Sequence, residues 1–179
     1  MALPKMKAHD PRCEGPHDQK VLDDIAAYGW HVMNVLEQSD TPGWSYSIGL
    51  QRTFNHPEIV VFGQEVDLMH SMINTVGDDI SAGKTFVPDG RYPGLVEGYS
   101  CTFKPVQPVW YEHFLGFATW FYDGVEYPVM QCFWPDFEGR FPWERGFSEH
   151  LSWLQPLLFH HTASAAGASE LLKSLGDPV

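Results

Sequence analysis

The run EIVVFG, from Glu58 to Gly63, constrains the fold more than any other stretch of this sequence. It contains four consecutive apolar residues and ends at a glycine, a pattern typical of a short strand covered on both faces. The run therefore predicts a central strand of a sheet. A helix is predicted directly after it, because apolar residues recur there at steps of three and four and Gly83 stands where a helix normally ends. The apolar stripe consists of Val66, Met69, Ile73, Val76 and Ile80.

A hairpin is predicted before the central strand. A short helix over residues 19–28, with Asp18 as its cap and Gly29 as its stop, leads into a first strand, WHVMNVLE. The turn SDTPG returns the chain as a second strand, WSYSIGL. The connection that follows, with its arginine and histidine, is predicted to be a loop. The residues of the first strand that are expected to share a face are Trp30, Val32 and Leu36.

The second half of the chain predicts further strands and a second main helix. LVEGYSCTFKPV and EYPVMQCFWPD each have the composition of a strand. PVWYEHFLGFATWFY has the apolar spacing of a helix and the aromatic content of a strand, and we interpret it as a helix. Strands linked as hairpins, with helices inserted at two points, predict the α+β class. We expect one domain with a mostly antiparallel sheet and two main helices packed on it.

The chain divides into three predicted regions. Residues 1–17 hold prolines and a glycine among charged residues and are predicted to be an irregular N-terminal leader. Residues 18–161 are predicted to form a single globular α+β domain, in which SEHLSWLQPLLF forms a short helix interrupted at Pro156. Residues 162–179, rich in alanine and serine before ELLKSLG, are predicted to be a C-terminal helical tail.

Charge and cysteine usage limit the partners and the compartment. With 11 basic and 23 acidic residues, the net charge of -12 would repel a nucleic-acid backbone. No run approaches the ~18 apolar residues of a membrane span, and the N-terminus has no apolar signal region. The three cysteines are widely spaced and without a CxxC pair, which fits a reducing compartment. We expect a cytoplasmic protein with neither nucleic acid nor membrane as a partner.

Five motifs in a fixed order carry a family resemblance: DDIAAYGWHVMNVLE, WSYSIGLQRTFNHPEIVVFG, MINTVGDDISAG, YPVMQCFWPD and GRFPW. Together they closely resemble the bacterial domain-of-unknown-function family DUF4262. The resemblance covers roughly Asp23 to Trp143. It implies a bacterial, stand-alone soluble domain, and it implies no activity, cofactor or catalytic residue.

The first candidate cluster lies on the connection LQRTFNHPE. Pro57 restricts the backbone around His56 and would aim its ring, while Arg52 and Glu58 stand nearby in the sequence. In one interpretation Arg52 anchors an anion, His56 transfers a proton and Glu58 orients His56. In the other, Arg52 only neutralises Glu58 and His56 caps loop carbonyls. Both interpretations remain open.

The second candidate cluster lies where QCFWPDFEGR leaves a strand. Gln131, Trp134 and Asp136 stand at a strand end, where polar groups can converge on a pocket. Alternation places Gln131 and Cys132 on opposite faces, so they cannot both point into one pocket. Cys132 is disfavoured as a nucleophile, because a predicted inner strand of an acidic protein lacks the electropositive setting that a thiolate needs. The histidines have no metal-ligand spacing, and no metal site is predicted.

Two classes of function follow. In the first, an aromatic-lined cleft binds a small polar or anionic molecule, and the sequence does not decide whether the protein also converts it. The cofactor is not predicted either; a flavin is one example of an aromatic cofactor that would fit such a cleft. In the second, the domain is a protein-interaction module, such as an antagonist of a toxin, with an acidic face for a basic partner. The oligomeric state is not predicted. The residues expected to line the cleft, besides Arg52 and His56, are Trp44, Tyr46, Trp120, Tyr122, Gln131, Trp134 and, behind them, Asp136.

Overall fold

Six strands form one sheet in the computed structural model, which describes residues 11–162. Their spatial order is β1-β2-β3-β6-β5-β4, so β1 and β4 are the edge strands and β3 is internal. The predicted central strand is therefore confirmed. The strands are β1 (His31–Val35), β2 (Trp44–Ile48), β3 (Glu58–Phe62), β4 (Tyr92–Val96), β5 (Tyr99–Pro105) and β6 (Val129–Phe133).

The sheet is mostly antiparallel. Only β3 and β6 run parallel, because the chain between them crosses over through helices, whereas the other four neighbouring pairs are antiparallel. The helices are α1 (Pro16–Tyr28), α2 (Leu50–Phe54), α3 (Val66–Ser81), α4 (Tyr111–Phe114) and α5 (Gly116–Tyr122). This arrangement confirms the predicted α+β class.

Each face of the sheet is covered by helices. On one face, β2 and β3 present Tyr46 and Val60 to a core that also contains residues of α1, α4 and α5. On the other face, the neighbouring residues Ile59 and Val61 pack with the apolar stripe of α3. Alternation of side chains along β3 explains why one apolar run contributes to both cores.

The predicted hairpin is confirmed, with one local difference. β1 and β2 pair antiparallel, with His31 opposite Ile48 and Val35 opposite Trp44. The prediction that Leu36 shares the buried face of β1 is wrong, since the strand ends at Val35 and Leu36 is 69% exposed.

The connection after β2 is not a loop throughout, as predicted, but begins with the short helix α2. Gly49 has φ 113°, a left-handed conformation that glycine adopts readily, and it turns the chain into this helix. The carboxylate of Glu58 accepts hydrogen bonds from the N–H groups of Gly49 and Gln51 at 2.8 and 3.2 Å. The first N–H groups of α2 thus find their acceptor on the next strand, which the local sequence does not reveal.

The single strand predicted for LVEGYSCTFKPV is also corrected. Its second part is one strand, β5, whereas Leu95 and Val96 belong to β4, and Glu97 and Gly98 form the turn of the antiparallel β4–β5 hairpin. Gly98 has φ 78° and permits the reversal. The glycine inside this run was the available signal for a turn.

Three helical predictions have different outcomes. The helix after the central strand is confirmed as α3. The ambiguous aromatic segment is helical, as interpreted, but is divided into α4 and α5 by Leu115, which has φ -129°. The helix predicted around residue 150 is only a 3-10 turn, Glu149–Leu151.

The chain ends differ in part from the predicted regions. α1 begins at Pro16, inside the predicted leader. It ends at Tyr28, with Gly29 as its C-cap, as expected. Residues 1–10 and 163–179, which hold the rest of the leader and nearly all of the predicted tail, lie outside the described residues. Within residues 11–162, no helix has the length and apolar character required to cross a membrane.

We expect Gly63→Ala to destabilise the protein by about 2–4 kcal/mol, because alanine would be strained at φ 75° and its Cβ would lie 2.6 Å from the carbonyl oxygen of Leu154. Gly139→Ala is the matched control: φ is 81°, but no atom lies within 4 Å of the added Cβ. It should cost only about 1 kcal/mol. Urea denaturation measures both, and equal losses would contradict the packing of Gly63 against Leu154.

Candidate functional site

His56 is held by the backbone on both ring nitrogens. Nδ1 lies 2.9 Å from the carbonyl oxygen of Pro57, and the N–H of Phe86 donates to Nε2 at 3.1 Å. A carbonyl can only accept, so Nδ1 carries the proton and Nε2 carries the lone pair. Burial lowers the pKa of His56, and the hydrogen bond from Nδ1 to the carbonyl of Pro57 opposes this effect. The ring therefore ties the start of β3 to the segment before β4, and only 4% of the residue is exposed.

Glu58 lies at the centre of a buried hydrogen-bond cluster. Its Oε2 accepts from the hydroxyl of Ser47 at 2.5 Å, and its Oε1 accepts from the hydroxyl of Tyr122 as well as from the two N–H groups at the start of α2. Ser47 in turn accepts from the N–H of Ile59 at 2.9 Å. Burial raises the pKa of Glu58, although the four hydrogen bonds oppose this. We call Ser47, Glu58 and Tyr122 the buried carboxyl cluster.

The structure places His56 and Glu58 in separate hydrogen-bond networks, and the backbone N–H of Arg52 donates to the hydroxyl of Tyr122 at 3.3 Å. Arg52 lies on the exposed side of α2, with its guanidinium carbon 5.4 Å from the centre of the Phe121 ring. The hydrogen bonds of His56 and those of Glu58 go to different partners. Of the residues predicted for the cleft, the structure brings Tyr122 to Glu58.

The predicted cleft aromatics are mostly packed in the two cores. Trp44, Tyr46 and Tyr122 belong to the core on the α5 face, whereas Trp134 belongs to the core on the α3 face. The indole N–H of Trp44 donates to the carbonyl of Phe114 at 2.8 Å. That of Trp134 donates to the carbonyl of Phe62, also at 2.8 Å. Trp120 is half-buried, and its indole N–H donates to the carbonyl of Arg12 at 3.1 Å. The sheet thus separates Trp134 from the other four rings.

Gln131 and Asp136 bind neighbouring segments of the chain. The amide of Gln131 donates to the carbonyl of Pro156 at 2.7 Å. Asp136 accepts from the N–H groups of Glu138, Arg140 and Ser148 and from Nε of Arg140 at 3.1 Å. Burial by itself would raise the pKa of Asp136, but these hydrogen bonds hold it below its usual value. Both side chains fasten the segment that follows β6.

An open groove lies along the edge strand β1. It is bounded by α1 and α3, and its volume is about 970 Å³, near the upper end of the ~300–1,000 Å³ typical of small-molecule sites. We call it the edge groove. Its apolar part includes Trp30 and Val32, and its polar groups come from both helices and from β1. Its polar lining residues include Asp24, His31, Asn34 and His70.

His31 and Asp24 form an imidazole–carboxylate pair in the edge groove. Nδ1 of His31 lies 2.7 Å from Oδ2 of Asp24, and Nζ of Lys20 lies 2.9 Å from the same oxygen. Burial would raise the pKa of Asp24, but hydrogen bonds from Lys20 and His31 lower it, so Asp24 is ionised and accepts. Nδ1 of His31 is therefore the donor, and in the neutral ring Nε2 carries the lone pair.

His70 has the opposite arrangement. The hydroxyl of Ser45 donates to Oδ1 of Asn34 at 2.7 Å, so the NH₂ group of Asn34 is the one that lies 3.0 Å from Nδ1 of His70. Nδ1 accepts this hydrogen bond, and the neutral ring carries its proton on Nε2. Of the three histidines that line the edge groove, His31 thus offers an Nε2 lone pair that no hydrogen bond from residues 11–162 occupies, and His70 offers an Nε2–H donor.

Sequence reasoning missed this site because its pairs come from different elements. Asp24 and His31 are seven residues apart, on either side of the left-handed Gly29 that ends α1. Asn34 and His70 are 36 residues apart. The available signal was the short turn at Gly29, which places the end of a predicted helix beside the start of a predicted strand. Within residues 11–162, no cluster of three or more His, Cys, Asp or Glu side chains could hold a metal ion.

Comparison with known proteins identifies the family. A model of the family described as "Domain of unknown function (DUF4262)" matches residues 24–148. This range includes His31 and His70 of the edge groove and the buried carboxyl cluster. No curated protein and no solved structure matches the chain. Since the family model covers more than half of the sequence, the chain belongs to the DUF4262 family.

Proposed function

We propose that this protein binds a small polar molecule in the edge groove. The observation that carries the proposal is the convergence of fixed hydrogen-bonding groups on one open cavity of about 970 Å³. The pairs His31–Asp24 and Asn34–His70 hold their rings in defined orientations before any ligand arrives. Preformed polar groups around a partly apolar cavity are the usual composition of a small-molecule site.

The charges of the edge groove favour a ligand with both donor and acceptor groups. Lys20 supplies a positive charge, whereas Asp24 and Asp78 supply negative charges. A polyanion would also meet the net charge of -12 of the whole chain. We therefore propose a small ligand of mixed polarity, bound through hydrogen bonds to the imidazoles and through apolar contact with Trp30 and Val32.

The small-molecule proposal is preferred to a protein-interaction module because of where the exposed apolar residues lie. Tyr28 is on α1, Leu36 follows β1 and Phe137 follows β6. Scattered exposed apolar residues are normal on a monomer, and an interaction surface would need a contiguous patch.

The test obstructs the edge groove with a single large side chain. Ala27 on α1 lines the groove, and Ala27→Trp should block part of it and abolish ligand binding. Ala26→Trp is the matched control, because Ala26 is the preceding residue of α1, is also exposed and does not line the groove. Thermal unfolding of both variants shows whether the fold is retained.

Binding is measured in two ways. Native mass spectrometry of the purified protein detects a co-purified molecule, and saturation-transfer NMR detects binding of glycerol, glycine, acetate and choline as probes. We expect the protein and Ala26→Trp to retain a small molecule or at least one probe that Ala27→Trp loses. Equal binding by the two variants, or no binding by the unmodified protein, would refute the proposal.

A further inference from the structure

The two nitrogens of His31 differ in their surroundings. Nδ1 is occupied by Asp24 at 2.7 Å. Nε2 makes no hydrogen bond with any of residues 11–162, in a residue that lines the edge groove. An imidazole that is oriented by a carboxylate and has a free lone pair in a cavity is the arrangement needed for accepting a proton from a bound molecule.

We propose that His31 is a catalytic base, which takes a proton through Nε2 from a hydroxyl group or water molecule in the edge groove. Asp24 is the positioning residue that holds the ring. The substrate class is a small polar molecule with an electrophilic carbonyl carbon, which the activated oxygen attacks. This inference rests on the proposed function, since the substrate must first bind in the edge groove.

The step is balanced without any oxidant or reductant. The O–H bond of the hydroxyl or water breaks, its electron pair stays on the oxygen, and the proton forms an N–H bond with Nε2 of His31. The oxygen then bonds to the carbonyl carbon as the π electrons of the C=O bond move to the carbonyl oxygen. That pair re-forms the C=O bond while the bond to the leaving group breaks and its electrons leave with that group, and the proton on Nε2 passes to the leaving group or to solvent. The imidazolium that results lies against the carboxylate of Asp24, which stabilises its charge.

His31 has the protonation state that a base requires. Burial lowers its pKa, and this effect exceeds the opposing effect of Asp24, so the ring is unprotonated at neutral pH. Lys20 and His17 act in the same direction as burial. Besides His31, the titratable and charged groups that line the edge groove are His17, Lys20, Asp24 and Tyr28 on α1 and His70 and Asp78 on α3.

His70 supplies a complementary group. Asn34 occupies its Nδ1, so Nε2–H is a donor, and His70 lines the same groove as His31. Such a donor can form a hydrogen bond to a carbonyl oxygen and stabilise the negative charge that develops on it while His31 removes the proton. Base and donor then act on two different atoms of one reaction.

The test uses 4-nitrophenyl acetate as a probe, whose hydrolysis releases coloured 4-nitrophenolate. We expect release to be at least ~10-fold slower with His31→Gln than with the unmodified protein. After subtraction of spontaneous hydrolysis, the rate with the unmodified protein should rise with pH and pass half of its maximum below about pH 6.5, because burial lowers the pKa of His31. A rate that still rises steeply above pH 7 would overturn the assignment of His31.

A matched pair of variants separates positioning from general charge effects. Asp24→Asn should reduce release as strongly as His31→Gln, because the amide NH₂ can donate to Nδ1 and thereby move the ring proton to Nε2. Asp23→Asn removes the same charge from the neighbouring position of α1, outside the groove, and should leave release unchanged. Two-dimensional NMR of the ring nitrogens reports the tautomer directly and is insensitive to a small loss of stability.

The outcomes distinguish this inference from the proposed function. If Ala27→Trp abolishes probe binding while His31→Gln and Asp24→Asn release 4-nitrophenolate normally, the groove binds ligands but His31 is not a base. If Ala27→Trp leaves both binding and release unchanged, the proposed function fails as well. Release that falls with Ala27→Trp, His31→Gln and Asp24→Asn, but not with Ala26→Trp or Asp23→Asn, supports both.

Discussion

Replacement of Glu58 by alanine is expected to cost about 3–5 kcal/mol of folding free energy, because it leaves buried donors without an acceptor. These donors are the hydroxyls of Ser47 and Tyr122 and the N–H groups of Gly49 and Gln51. The loss would approach the whole stability of a small domain. Urea denaturation at pH 7 measures it.

Glu58→Gln is the control for the buried carboxyl cluster. Its side-chain oxygen can accept from Tyr122 and from the start of α2, and its NH₂ group can donate to Ser47, so the loss should be only about 1 kcal/mol. The difference between the two variants isolates hydrogen bonding from charge. If both variants lose the same free energy, the cluster acts through the charge of Glu58 instead.

The second large effect is expected for His56→Ala, at about 2–4 kcal/mol. The substitution removes a buried ring and leaves the N–H of Phe86 without its acceptor. His113→Ala, at an exposed position of α4, is the control and should cost less than about 0.5 kcal/mol. A loss below ~1 kcal/mol for His56→Ala would show that its two backbone hydrogen bonds do not hold β3 in place.

The contribution of His56 should also depend on pH. Its pKa is lowered in the folded protein, so the unfolded chain binds more protons once the pH falls below about 6.5. A protonated Nε2 would place a second donor against the N–H of Phe86. The free-energy difference between the protein and His56→Ala should therefore be full above pH 6.5 and diminish below it. A difference that grows on acidification would contradict the lowered pKa.

Hydrophobic periodicity was sufficient to predict the central elements of the fold. The strand β3 buries a continuous apolar run, and the helix α3 buries apolar residues that recur at steps of three and four in the sequence. α2 was missed because Glu58, three residues beyond its C-cap Asn55, supplies the acceptor for its first N–H groups. A contact of this kind is tertiary, and local propensity does not contain it.

The candidate site was harder to predict than the fold for a related reason. Arg52 and His56 are predicted as site residues because they are near each other in the sequence, but the backbone occupies both nitrogens of His56. His31 and His70 are not predicted, because their hydrogen-bond partners lie on other elements. The chemistry of an imidazole is set by what its two nitrogens contact, and only the folded chain defines those contacts.

We propose that ligands bind in the edge groove and not beside Arg52 and His56. The most direct test is an NMR titration of the ¹⁵N-labelled protein with a compound that the unmodified protein binds. We predict that the largest amide shifts fall on residues 31–34 of β1 and 70–74 of α3, and that Ala27→Trp removes them. Shifts confined to residues 50–58, with β1 and α3 unchanged, would contradict the claim.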